Sequence, residues 1–426
     1  MFTLERENSS VSAVLLRAHQ THGGRAGAGE PPWTRPPNWR AAKNPQTAHN
    51  TGFPQGYWPS RVDLLLRPMS STSSRTPLID MVKGLACATI VWHHLAFYGP
   101  MSDIAQPLAP ALMAWLSYYG RMAVQVFLVL GGYLAASSLA PQGLARFDHA
   151  SGAITKRFVR LVVPYAVALV LSVLVSALVR PGMDHPSVPD APSLAQLVAN
   201  ALLLQDIVGK DALSAGVWYV AIDFQLFALV VLVLAAVRSL PGVWAQRHAA
   251  PLAKLGFAAG AAASLWAFNR MGWLDMWALY FLGSYGLGMM ACWAVRARDP
   301  RGWLLAIAVL GGVGLALDFR GRIALAVFTA LALVMALRSA RVQAWRGFGP
   351  LVWLGQMSYS VFLIHFPVCL LVNAVVSWFW PAHLLANGAG LLAAFALSVG
   401  AGSVLYRNVE SRSSLYSFRF KLRFAA

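Results

Sequence analysis

The chain has 426 residues, of which 58% are hydrophobic and 12% charged, whereas a soluble domain carries about 25% charged residues. That balance all but excludes a single water-soluble globule. Its 34 Lys and Arg against 16 Asp and Glu give a formal charge of +18, and because long apolar runs separate the basic residues, the charge reads as orienting a chain in a bilayer rather than binding nucleic acid.

Residues 1–75 stand apart. They carry the pairs Pro31-Pro32 and Pro36-Pro37, a Gly/Ala/Arg tract and scattered Arg, with no apolar run long enough for a span or a core, so a disordered extension is expected. The order of a secretory signal is missing, and an Arg-rich transit peptide is the weaker reading because amphipathic periodicity is absent. Met69 runs almost directly into the first apolar helix, which makes it the expected natural start.

Apolar runs of about 17 to 25 residues then predict ten spans, near 79–98, 121–139, 158–179, 216–237, 252–269, 276–295, 302–318, 322–338, 352–379 and 384–406. The expected fold is an all-α polytopic membrane protein. Placing residue 77 on the cytoplasmic side puts 21 of the basic residues from position 61 onward on cytoplasmic flanks, among them Arg146, Lys156, Arg238, Arg296, Arg338 and Arg407. The opposite side receives only Arg121, Arg180, Lys210, Arg270, Arg320 and Arg322. Both termini are therefore expected in the cytoplasm, residues 411–426 forming a basic tail. The longest outer loop, about 180–215, is Pro-rich and mildly acidic, with a short amphipathic piece at Leu194 to Leu204. Cys87, Cys292 and Cys369 lie in apolar runs without ligand spacing, so no disulfide framework and no metal site is indicated. The sixteen Trp fit bilayer interfaces better than sugar platforms.

Ionisable residues at membrane depth are costly and mark interiors or water-filled cavities. In the first span Lys83 and His94 are eleven residues apart, about 16 Å of rise and almost the same helical face, while His93 points about 100° away. The same residues also fit a lysine that snorkels and histidines that satisfy backbone carbonyls. Lys156, Arg157 and Arg160 open the third span, and a guanidinium cluster suits either phosphate groups or anionic lipid. Asp223 follows Trp218 and Tyr219 by about one turn; it would orient His94 as a base-orienting carboxylate does or neutralise an arginine. The ninth span carries Tyr359 and His365, then Pro367.

Asp80, Lys83-Gly84 and His94, then Val126 to Leu134, then Lys156-Arg157 to Pro164-Tyr165, resemble the acyltransferase-3 family of bacterial membrane O-acyltransferases. Trp218 to Phe227 and Gly355 to Pro367 extend the similarity over about residues 77–410. Four positions depart from the family pattern: Lys83 stands for an Arg, Gly131 for a Ser, and Ser411-Arg412 after Glu410 for the Arg-Pro of Glu-Arg-Pro.

The resemblance implies a ten-helix core in a bacterial inner membrane and an acyl donor, acetyl-CoA above all, as co-substrate rather than bound cofactor. Its phosphates would meet Lys83, Lys156, Arg157 and Arg160. His94 would serve as general base, with Lys83 and Asp223 beside it and Tyr133, Trp218, Tyr219, Gln225, Tyr359, His365 and Glu410 in support. The implied partners are membrane lipids and a carbohydrate or lipid-linked acceptor. Two other classes fit the residues alone: a proton-coupled exporter and a non-catalytic partner in glycan assembly. No repeat between the halves of the chain favours the exporter.

Overall fold

The computed structural model describes residues 76–413. The extension, the Met69 start and most of the basic tail lie outside the described residues.

Among these residues every regular element is helical. In chain order they are α1 Pro77–Leu95, α2 Pro100–Ala105, α3 Pro110–Tyr119, α4 Ala123–Leu139, α5 Ala150–Val179, α6 Leu194–Ala201, α7 Trp218–Ser239, α8 Val243–Arg247, α9 Ala249–Trp266, α10 Ala278–Arg296, α11 Arg301–Leu317, α12 Gly321–Arg338, α13 Ala340–Ala344, α14 Gly349–Gln356, α15 Ser358–Phe379 and α16 Leu384–Asn408. Eight stretches are long and apolar enough to cross a membrane: Pro110–Leu139, Ala150–Val179, Trp218–Ser239, Ala249–Arg270, Ala278–Arg296, Gly321–Arg338, Ser358–Phe379 and Leu384–Arg412. The shorter apolar α11 and the Asp80- and Lys83-bearing α1 occupy the seventh and first expected places, so the chain is a polytopic all-α membrane protein.

Two boundaries differ from the expectation. The second span is a 30-residue stretch, because a 3₁₀ turn at Gly120–Met122 joins α3 to α4 without a break. The ninth splits at Met357, between α14 and α15, although the apolar run is continuous there. The segment before the split meets α1 backbone to backbone. A Cβ on Gly355 would stand 1.6 Å from the Asp80 carbonyl oxygen, and one on Gly84 would stand 2.1 Å from that of Leu351, so α1 and α14 cross with their backbones touching. Small residues permit such crossings in membranes, where close packing substitutes for the missing hydrophobic drive.

Gly355→Ala is accordingly expected to cost at least the ~1–3 kcal/mol of an overpacked core and to lower the melting temperature in detergent. Gly152→Ala, where an added Cβ meets open space, is the comparison; equal melting of the two would show that the crossing relaxes.

The basic ends of several helices meet. Arg296 donates to Ser137 Oγ at 2.7 Å, Arg338 to the Ala297 carbonyl at 2.7 Å, and Arg238 to the Asp148 carbonyl at 3.0 Å. Arg320 lies at the opposite helix ends, donating to the Leu265 carbonyl at 2.8 Å. This grouping follows the alternation of charge along the chain. Cys87, Cys292 and Cys369 are buried free thiols that fill space in the core.

Candidate functional site

His94 occupies the last turn of α1 and is buried. Its Nδ1 lies 2.7 Å from Nε2 of His365, with the two ring planes 7° from parallel. His365 Nδ1 in turn lies 2.6 Å from the Phe362 carbonyl oxygen. A carbonyl can only accept, so His365 Nδ1 carries the hydrogen and His365 Nε2 is an acceptor. His94 Nδ1–H must then donate to it, which leaves the lone pair of neutral His94 on Nε2. One backbone carbonyl thus fixes the tautomers of two imidazoles.

His93 has a different task, as its helical direction predicts. Its Nδ1 is 2.8 Å from the Leu116 carbonyl oxygen, tying α1 to α3. Over His94 lies Gly216 at φ +73°; a Cβ there would come 3.3 Å from His94 Cε1 and 2.9 Å from Phe362 Cζ. Only glycine allows the loop to lie so close to the imidazole with that backbone.

Of the two roles expected of Asp223, orienting His94 or neutralising an arginine, its contacts fit the second. Asp223 forms an ion pair with Arg157, whose guanidinium also stacks 5.2 Å from the centroid of Phe227. A long guanidinium fork on α5 reaches a carboxylate across the α5–α7 interface, and His365 takes the place beside His94. Tyr219, Tyr285 and Tyr359 lie within electrostatic reach of the pair. Gly131 faces this layer: its Cβ would sit 3.1 Å from Tyr285 Cε2 and 3.6 Å from Asp223 Oδ1. The Ser of the resemblance would thus place a hydroxyl next to Asp223, and this chain has none.

Toward the basic end, Lys83 Nζ bonds Asp80 Oδ1 at 2.8 Å, one turn away on the same helix. Asp80 Oδ2 is buried and accepts no hydrogen bond from the described residues. Glu410 accepts from Ser360 Oγ at 2.6 Å and feels the charges of Arg160 and Lys83. Lys156 and Arg160 are exposed. Lys83 and His94 therefore belong to one column of polar groups on α1, separated by about 16 Å of helix rise.

The other expected supporting residues divide. Tyr359 donates its hydroxyl to the Leu161 carbonyl at 2.9 Å, locking α15 to α5. Tyr219 packs edge-on against Phe362, whose ring neighbours His365. Gln225 is a brace: it donates to the Met276 carbonyl at 3.2 Å and accepts from the Ala278 amide at 2.9 Å, fixing the start of α10. Trp218 stacks on Phe281, and Tyr133 lies near Cys292 and Arg296, apart from the histidines. Residue-by-residue reading passed over the Phe362 carbonyl, Gly216 and Ser360. The signal available for His365 was its depth, since a polar group in a span needs a polar partner and His94 was another one in need.

The loop that reaches Gly216 carries a titratable group. Burial raises the Asp206 carboxyl to about 6, against a hydrogen bond from Gln205 and with the Asp275 carboxylate adding to the rise. Below pH 3.8 the group is neutral whether folded or unfolded; as pH climbs from there through 6, only the unfolded chain ionises freely and folded stability falls. Hydrogen exchange of residues 203–216 is expected to be faster at pH 7.5 than at pH 5 after correction for intrinsic rates. Asp206→Asn should remove the difference, and an unchanged difference would contradict the assignment.

A family model described as an acyltransferase domain, the acyltransferase-3 model, matches residues 77–407. No curated protein and no solved structure matches the chain.

Proposed function

The chain belongs to the acyltransferase-3 family of membrane acyltransferases, and from that premise we propose that it moves an acyl group, acetyl in the first instance, from acyl-CoA to a hydroxyl of a cell-surface glycan or lipid-linked sugar. The observation that carries this reading is the imidazole pair, which leaves an unprotonated Nε2 on buried His94. As the acceptor oxygen attacks the thioester carbonyl, His94 Nε2 takes its proton. A C–O bond forms, the C–S bond breaks, and the proton passes to the leaving CoA thiolate. The positive charge that His94 gains is shared along Nδ1–H to His365 and on to the Phe362 carbonyl, in the way a base is held by a third group.

Donor entry is assigned to the basic end, from the cytoplasm of a bacterial inner membrane with both termini on that side. Lys83, Lys156 and Arg160 supply cations for the CoA phosphates. Arg157, the fourth of the expected phosphate set, is held by Asp223 as Lys83 is held by Asp80, so each would meet a phosphate as one half of an ion pair. Lys83 offers a point charge without a guanidinium's bidentate fork.

The reading is tested by incubating membranes that contain the chain with acetyl-CoA labelled in the acetyl group and following label into glycan and lipid fractions. Transfer that depends on the chain supports it. Proton flux through reconstituted protein without any acyl turnover would point instead to an exporter.

A further inference from the structure

The helix α6 is built inside out for a helix on a water-soluble surface. Its polar side chains turn toward the protein: Gln196 donates to the Asp211 carbonyl at 3.1 Å, and Asn200 donates to the same carbonyl at 3.1 Å while accepting the Leu213 amide at 3.1 Å. Leu197 and Ala199 pack inward, but one apolar row turns outward, with Leu194 77%, Val198 49% and Leu202, just past its end, 48% exposed. These positions, four apart, form one stripe. An amphipathic helix beside water buries that stripe.

The depth of α6 names what covers it. The Asn200 carbonyl accepts from Tyr165 Oη at 3.0 Å, and Tyr165 stands five residues, about 8 Å of rise, past Arg160, the last of the basic residues that open the third span. That lies within the ~30 Å of a hydrocarbon core and short of its middle. The outer half of α5 also exposes Val167, Val170, Leu171, Leu174 and Leu178, so the stripe adjoins the lipid-facing surface of a span.

We propose that α6 dips into the bilayer from the side opposite the basic ends, with Leu194, Val198 and Leu202 among the acyl chains, and that this seat holds the loop over His94. The connection is short. Asn200 fixes the Leu213 amide, Ala215 packs with Val179 and Phe366, and Gly216 rests against His94 Cε1. Interfacial helices bind through buried apolar area in the same manner.

The test uses the full chain in phosphatidylcholine nanodiscs, with an environment-sensitive fluorophore on Val198→Cys or, for comparison, on Lys210→Cys; the native cysteines are buried. Replacing the lipid by its brominated analogue is expected to quench most of the emission at position 198 and little at position 210. Unquenched emission at both, including the case in which a second protein covers the stripe, overturns the lipid seat. Leu194→Ser/Val198→Ser/Leu202→Ser is then expected to speed hydrogen exchange at residues 213–216; unchanged exchange overturns the coupling to the loop. Neither readout needs acyl transfer, so the inference fails or stands separately from the proposed reaction.

Discussion

His365→Ala is expected to slow acyl transfer by about 10²–10⁴-fold, the range that general acid–base catalysis contributes, with the KM for the acyl donor nearly unchanged. Without His365 Nε2, the Nδ1 hydrogen of His94 loses its acceptor, and nothing keeps the lone pair on Nε2. The proton taken during attack would also meet a site with no path to share its charge. His365→Gln, whose amide oxygen extends to about the place of Nε2, should recover part of the rate. Residues that act as one unit give strongly non-additive losses, so His94→Ala/His365→Ala should be no slower than His94→Ala alone. Additive losses in rate, or a full rate in His365→Ala, would sink the relay.

Asp223→Asn should unfold the protein more readily, by at most about 3–5 kcal/mol, the cost of leaving a fully buried partner charge uncompensated, since the Arg157 side chain is 27% exposed. Arg157 is the charge left behind; its Nε is already without a partner among the described residues, so it has little to turn to. Thermal unfolding in detergent measures the loss. Asp223→Leu/Arg157→Met removes both charges and is expected to recover most of the stability, because a matched apolar pair often equals or exceeds an ion pair in a core. If Asp223→Asn melts like the intact chain yet loses turnover, Asp223 acts in the chemistry and the structural assignment fails.

The spans were legible because an uninterrupted apolar run of bilayer length is too long for an ordinary core helix and matches the thickness of the hydrocarbon it must cross. The break at Met357 was not, since the run 352–379 is continuous in hydropathy and the crossing of its first part with α1 joins residues far apart in the sequence. The amphipathic piece at Leu194 to Leu204 emerged as α6, shortened at its end by the positive φ of Leu203. His93 and His94 were separable by helical direction alone. The partner of Asp223 was not, because spacing along one helix places a carboxylate on a face but cannot say whether an imidazole or a guanidinium comes to meet it. The length of the Arg157 side chain decides that, and only packing reveals it. Gly216 was invisible for a related reason: its importance lies in the bulk it lacks beside His94.

The most direct measurement is CoA release from acetyl-CoA by the detergent-purified intact chain, beside His94→Ala and Lys83→Ala at matched folding. The account predicts turnover by the intact protein, its loss by about 10²–10⁴-fold in His94→Ala, and a raised acetyl-CoA requirement in Lys83→Ala. Turnover by His94→Ala at the intact rate, or no acetyl-CoA binding by the folded intact chain even with glycan-rich membranes present, would contradict it.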